Sequence, residues 1–164
     1  MKIYKKGITH GGKFHADDVF STALLRIIYP EFSVKRVFEV NETDDECIVY
    51  DIGRGRFDHH GEEVLYHENG RRYASFGLLW EEYGEYITEN ENVKKSIEDS
   101  FVSLIDEADN GGELDMVSHI ISAFNPAWNS NDDPDAAFEE AVSTAKIILE
   151  KRFSESGEGD FLEF

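Results

Sequence analysis

The sequence predicts an α/β fold, a three-layer domain in which helices flank a mostly parallel sheet. Short apolar segments of strand length surround a helical stripe in the first fifty residues, and segments with helical spacing fill most of the chain after residue 75. The 164 residues suffice for one hydrophobic core. We therefore expect one domain over residues 1–153 and an acidic tail over residues 154–164, whose composition favours disorder.

The predicted sheet comes first along the chain. Residues 2–9 alternate weakly and are expected to form the first strand. Apolar residues at helical spacing over residues 18–28 predict a helix, which Pro30 ends. The half-buried pattern of residues 33–40 and the apolar run of residues 47–50 predict two further strands.

The connection between the second and third strands is short. Only residues 41–46 lie between them, whereas a parallel crossover usually needs about a dozen residues. Either the chain makes the passage in one tight turn, or the two strands are antiparallel. The pattern leaves both alternatives open.

Helical segments dominate the second half. They follow a predicted hairpin, in which residues 64–67 and 71–74 flank Glu68-Asn69-Gly70. The last helix has Asp133 as its cap and Pro134 at its first position, both typical of a helix start. The predicted helices span residues 75–86, 93–108, 115–124 and 134–153.

The composition indicates which binding partners suit the protein and in which cellular compartment it is expected. The formal net charge of −19 argues against a protein that binds a long nucleic acid duplex, because phosphate binding usually requires a basic surface. Short phosphorylated molecules remain suitable, since bound cations invert the local field. One cysteine, Cys47, excludes an internal disulfide, and no apolar run predicts a signal peptide or a membrane helix. We expect a cytoplasmic protein without a membrane partner.

Histidines and aspartates gather where strands and helices are predicted to end. Imidazole and carboxylate groups together suit two divalent ions that share ligands, whereas a structural zinc would more often use cysteine. Open α/β sheets bind ligands beyond the carboxyl ends of their strands, so the location also favours a site. The candidates are His10, His15, Asp17, Asp51, Asp58, His59, His60, Asp106 and Asp109.

Each segment also has an ordinary structural explanation. Asp17 or Asp18 could cap the first helix, and Asp51 could be a turn aspartate. Asp106 and Asp109 could be solvated acids ahead of a glycine C-cap, and the Asp-His-His segment could be a polar loop. A complete set of metal ligands would then need several independent coincidences, so the segments together favour a metal centre.

The motifs resemble a known family. Thr-His-Gly-Gly-Lys-Phe-His-Ala-Asp-Asp, Tyr-Asp-Ile-Gly, Phe-Asp-His-His, Ala-Ser-Phe-Gly-Leu-Leu-Trp, Asp-Glu-Ala-Asp-Asn-Gly and Phe-Asn-Pro-Ala-Trp-Asn occur in the order seen in the melanocyte-proliferating-gene family (uncharacterised protein family 0160). That family is similar to the DHH phosphoesterases, which include RecJ-type exonucleases and manganese-dependent inorganic pyrophosphatases. The resemblance extends from about Ile8 to about Phe153.

The resemblance implies a DHH-like site with two divalent ions, most often Mn²⁺, with Mg²⁺, Fe²⁺ or Zn²⁺ as alternatives. One ion would be held by His10, His15 and Asp51, and the second by Asp17, Asp51, His59 and Asp109. His60 would contact the substrate phosphate, Asp58 would orient a histidine, and Asp106 would support the site.

Three further residues are candidates for contact with substrate. Lys13 and Arg72 are among the basic residues nearest to the motifs and could neutralise a phosphate. Asn129 matches the Asn-Pro-x-Trp-Asn segment of the family, for which a structural role and substrate contact are equally open.

The expected function is hydrolysis of a phosphoester or phosphoanhydride by a water that two metals activate. Its substrate would be a short oligonucleotide or a phosphorylated small molecule. Longer family members continue into a second domain, so we also expect a homodimer or a partner that replaces this domain. The alternative function is a non-catalytic metal-binding or interaction module with the same fold.

Overall fold

The computed structural model describes residues 1–113 and 115–156. Its sheet has three strands, β1 (Lys6–His10), β2 (Ser33–Val37) and β3 (Cys47–Val49), in the order β2-β1-β3. Both outer strands pair with β1 in the parallel direction. Helices flank the sheet, which confirms the predicted three-layer α/β class.

The strand order answers the question of the short connection. Because β1 lies between β2 and β3, residues 38–46 carry the chain across β1 rather than into a neighbouring strand. Returning along a five-residue strand and moving two strand spacings sideways requires about 20 Å. Nine residues in extended conformation reach about 30 Å, so a parallel passage without a helix is feasible.

Two long helices form the main packed pair beside the sheet. Helix α1 (Ala16–Ile28) is buried from Ala16 to Leu25, and α6 (Pro134–Ser156) packs along it. Phe14, just before α1, meets Phe138 of α6 edge-on with ring centroids 5.6 Å apart. Helix α6 extends three residues past its predicted end, and residues 157–164 of the predicted tail lie outside the described part of the chain.

The helices between β3 and α6 lie in the predicted regions but are divided into shorter segments. They are α2 (Ser75–Tyr83), a 3₁₀ turn (Gly84–Tyr86), α3 (Glu91–Ile97), a π-helical turn (Glu98–Val102), α4 (Ser103–Asp109) and α5 (Met116–Ser122). The helix predicted over residues 93–108 is therefore three segments joined through the π turn. No helix within residues 1–113 or 115–156 has both the length and the apolar character needed to cross a membrane.

The hairpin between β3 and α2 is present as a single antiparallel bridge, Tyr66 with Arg72. His67 and Arg71 close the turn through a 2.8 Å backbone hydrogen bond, and Gly70 has a φ of 86°, which glycine adopts without strain. This turn places His67 in the interior, where its side chain is fully buried.

Candidate metal centre

The carboxyl ends of strands β1 and β3 place one histidine and one aspartate side by side. His10 is the last residue of β1, and Asp51 follows β3 after Tyr50. Asp51 has a φ of 55°, and this left-handed conformation costs free energy for a non-glycine residue. His10 Nε2 lies 3.1 Å from Asp51 Oδ2. The parallel arrangement of β1 and β3 therefore creates the centre of the site.

The loop from β1 into α1 adds two more side chains. His10, His15 and Asp18 each offer one ligand atom, and these atoms lie within 4.8 Å of one another. Asp18 Oδ1 accepts a 2.8 Å hydrogen bond from the backbone N–H of His15, which starts the helix, while Asp18 Oδ2 lies 3.3 Å from His10 Nε2. At the level of sequence Asp18 is explained as a helix cap, and only the structure shows it to be a ligand candidate as well.

A second group lies on the other side of Asp51. Asp17, Asp51, His59 and Asp109 also offer ligand atoms within 4.8 Å of one another. His59 Nε2 is 2.9 Å from Asp109 Oδ2, and His59 Nδ1 is 3.6 Å from Asp51 Oδ1. The structure thus brings together all six residues that were predicted as metal ligands. Asp51 belongs to the second group and also lies 3.1 Å from His10 of the first.

Asp58 and His60 form a hydrogen-bonded pair at the edge of this second group. Asp58 Oδ1 lies 2.6 Å from His60 Nδ1, and Asp58 Oδ2 accepts a 2.6 Å hydrogen bond from the backbone N–H of Arg54. These bonds hold the carboxylate in one orientation. The His60 side chain is 60% exposed, so its ring faces solvent while its Nδ1 is tied to the buried Asp58.

The electrostatics of the cluster favour a cation. Burial, together with the carboxylates of Asp51 and Asp109, raises the pKa of Asp17 well above its usual range. Burial also raises the pKa of Asp18 to about 7, although His10 opposes the shift. Asp18 Oδ2 and Asp51 Oδ1 are buried without a hydrogen-bond donor among the described residues. Divalent ions would neutralise these crowded carboxylates and satisfy their free oxygens.

His10 responds to the same negative environment. Burial alone lowers its pKa, but the hydrogen bond to Asp51 and the charge of Asp18 raise the pKa of His10 to about 9. His10 Nδ1 lies 3.0 Å from the carbonyl oxygen of Gly11, which places the proton on Nδ1 in the neutral ring and leaves Nε2 as the atom that faces the carboxylates.

Asp106 lies behind the cluster rather than in it. Its Oδ2 is 2.7 Å from Nε2 of the buried His67, and its Oδ1 accepts a 3.0 Å hydrogen bond from the backbone N–H of Gly77. The Asp17 carboxylate accepts hydrogen bonds from the backbone N–H groups of Ser75 and Phe76, the two residues of α2 just before Gly77. Two buried aspartates therefore cap α2, and one of them also belongs to the candidate ligand set. The pairing of His67 with Asp106 was not predictable from the local sequence, because the two residues lie 39 positions apart.

A cavity of about 670 Å³ opens over the cluster, and Lys13 lies at its exposed rim. The structure does not bring the other two predicted substrate residues to this cavity. Arg72 lines a neighbouring cavity that also contacts Asp58 and His59. Asn129 is exposed in the loop after α5, whereas Asn125 of the same segment is hydrogen-bonded to both backbone groups of Phe14.

The fold and the site define an α/β domain whose clustered histidines and aspartates could hold metal ions. The family model described as "Uncharacterised protein family (UPF0160)" matches residues 6–160, nearly the whole chain. The chain therefore belongs to this family, as the motifs predicted.

Curated relatives come from several eukaryotes. A MYG1 protein of Saccharomyces cerevisiae is 30% identical over 187 aligned residues, which cover 90% of this chain and 55% of the yeast protein. The MYG1 exonuclease of Homo sapiens is 28% identical over 174 residues, covering 82% of this chain and 46% of the human protein. The chain thus spans about half the length of the curated relatives it matches. No solved structure gives a significant match.

Proposed function

We propose that the protein is a hydrolase of phosphoesters that works with two divalent ions, most suitably Mn²⁺. The observation that carries the proposal is the position of Asp51, whose two carboxylate oxygens face different histidines, His10 at 3.1 Å and His59 at 3.6 Å. A carboxylate placed in this way suits a ligand shared by two ions.

The donor sets fit such ions. His10, His15 and Asp18 would hold one ion, and Asp17, His59 and Asp109 the other, with Asp51 common to both. Mixed imidazole and carboxylate donors suit Mn²⁺, Fe²⁺ or Zn²⁺ better than Mg²⁺, which prefers oxygen ligands. When bound, two ions would acidify water and stabilise negative charge on a phosphate.

The remaining residues would position the substrate. Asp58 holds His60 through Nδ1 and leaves Nε2 of the exposed ring free. In the imidazolium form of the ring, Nε2 would donate a hydrogen bond to a phosphate oxygen or a proton to the leaving group. Lys13 at the rim of the cavity supplies a positive charge for the phosphate. In this proposal Asp106 contributes by fixing α2, and so the position of Asp17, rather than by touching the substrate.

The proposed substrates are short nucleic acid strands or smaller phosphoesters. Relatives named exonucleases favour a nucleic acid. The formal charge of −19 disfavours a long duplex, which is bound mainly through phosphate contacts to basic surfaces.

The test combines metal content with hydrolysis. Protein purified without chelator is expected to contain about two divalent ions per chain, measured by inductively coupled plasma mass spectrometry, and to hydrolyse bis(p-nitrophenyl) phosphate with added Mn²⁺. Asp51→Asn should abolish hydrolysis and lower the metal content. The matched control is Asp44→Asn, which changes an exposed aspartate paired with Lys6. Metal binding without hydrolysis of any ester would instead support a non-catalytic module.

A further inference from the structure

The loop that leads from β1 into α1 ends in His15, and its backbone is held by groups from outside the loop. In its first half, Gly11 donates its N–H to the carbonyl oxygen of Val37 at 2.7 Å. The carbonyl oxygen of Gly12 accepts a 2.5 Å hydrogen bond from Nη2 of Arg36. Strand β2, which contains both partners, therefore fixes the first half of the loop.

The second half of the loop is held by Asn125, which lies 111 positions further along the chain. Its Oδ1 accepts a 2.9 Å hydrogen bond from the N–H of Phe14, and its Nδ2 donates a 2.8 Å hydrogen bond to the carbonyl oxygen of the same residue. One amide side chain thus pairs with both backbone groups, as the opposite residue does in an antiparallel strand pair. A carboxylate could not donate in this way, and an aliphatic side chain could form neither bond.

Asn125 is itself fixed by the end of α5. Its Nδ2 also donates to the carbonyl oxygen of Ser122 at 3.1 Å, and its backbone N–H donates to the same oxygen at 3.2 Å. Pro126 disfavours a helical conformation of the residue before it, so the helical turns end at Asn125. The Asn-Pro pair of the family segment therefore presents the amide to Phe14 in one orientation.

These contacts fix the peptide group that leads into His15. Its carbonyl oxygen, that of Phe14, is bound by Asn125, and its N–H is bound by Asp18 Oδ1 at 2.8 Å. Because the peptide group is planar, holding both of its polar atoms fixes the direction in which the His15 side chain leaves the backbone. His15 is exposed, and its ring lies 6.0 Å from the ring of His10, measured between centroids.

We propose that Asn125 is a positioning residue for one of the two metal ions, because it orients His15 towards His10 and Asp18. The inference rests on the two-ion centre of the proposed function but not on hydrolysis. The second group of ligands does not depend on this loop in the same way, since Asp17 is held by the N–H groups of α2. Loss of the Asn125 amide should therefore weaken one ion and leave the other in place.

The experiment measures the two ions separately. Calorimetric titration of metal-free protein with Mn²⁺ gives the affinity of each site, and electron paramagnetic resonance distinguishes a spin-coupled pair of Mn²⁺ ions from isolated ions. Asn125→Ala should weaken one ion by about 10–100-fold, the usual effect of losing a group that orients a metal ligand, and should replace the signal of the coupled pair by that of isolated Mn²⁺. Asn125→Asp keeps the acceptor but loses the donor, so it should act in the same direction. Asn131→Ala, which changes an exposed asparagine before α6, is the matched control.

The outcomes separate this inference from the proposed function. If Asn125→Ala binds both ions with wild-type affinity, or weakens both equally, the inference is overturned, even where thermal stability falls. Circular dichroism reports whether the variants fold, and Asn125→Asp decides if Asn125→Ala does not. Wild-type protein that binds two ions but hydrolyses no ester would refute the proposed function, while the titration would still decide this inference. Wild-type protein that binds no ion would refute both.

Discussion

Replacing Gly77 with alanine tests how tightly the support behind the candidate metal centre is packed. Gly77 lies in the first turn of α2, where its N–H is bound by Asp106 Oδ1 at 3.0 Å. A Cβ at this position would lie 1.9 Å from Asp106 Oδ2 and 2.8 Å from Tyr73 Cδ1. Asp106 cannot give way freely, because its Oδ2 is hydrogen-bonded to the buried His67 at 2.7 Å.

The net magnitude follows from two opposing contributions. Alanine in a helix is favoured over glycine by about 1 kcal/mol. Displacing Asp106 breaks a buried ionic hydrogen bond, which costs roughly 3–5 kcal/mol when one partner loses the other. We therefore expect Gly77→Ala to lower the free energy of unfolding by about 2–4 kcal/mol.

The assay is urea unfolding followed by the fluorescence of the buried Trp80 and by circular dichroism. The control is Gly61→Ala, where a Cβ would have no atom within 4 Å, and which should change stability by less than about 0.5 kcal/mol. A Gly77→Ala variant as stable as this control would refute the reasoning, since it would show that Asp106 moves without cost.

The other predictions concern the metal ligands and one buried histidine. Asp18→Asn, which retains the cap acceptor, should lower the metal content by about one ion per chain, and unchanged content in mass spectrometry would exclude Asp18 as a ligand. Asp58→Asn should reduce kcat about 10–100-fold by releasing His60, which steady-state kinetics can measure. Burial alone lowers the pKa of His67, but its two carboxylate partners raise it to about 9. Its pairing should therefore stabilise the fold fully below about pH 6.5 and be lost as the pH rises through 9; an NMR titration that places this pKa below 7 would contradict the pairing.

Local patterns predicted most of the elements. Apolar spacing indicated α1 and the later helices, and Asp133 with Pro134 marked the observed start of α6. The largest local difference is the π-helical turn Glu98–Val102, which interrupts a stretch whose apolar spacing suggested one continuous helix. Apolar spacing reports which face is buried, but it does not report a change from one helical hydrogen-bond pattern to another.

The candidate site was predictable to a similar degree. Its six proposed metal ligands occur in motifs with recognisable types of residue, and the structure brings these residues together. Asp18 was missed because its role as the cap of α1 already explained it, and His67 was missed because its partners lie far along the chain. In the sequence His67 is simply part of the predicted hairpin. Only the structure shows that its side chain is buried and hydrogen-bonded to Glu98 and Asp106.

The sequence by itself determined the α/β class, the family and the types of residue at the site, since periodicity and motif order are properties of neighbouring residues. Only the tertiary structure decided that β1 lies between β2 and β3, and that the connection of residues 38–46 crosses it. It also decided that Asp17, Asp51, His59 and Asp109, which come from four separate segments, lie in one cluster. The reason is physical: strand order and shared cavities depend on the free energy of packing the whole chain, in which residues distant in sequence become neighbours.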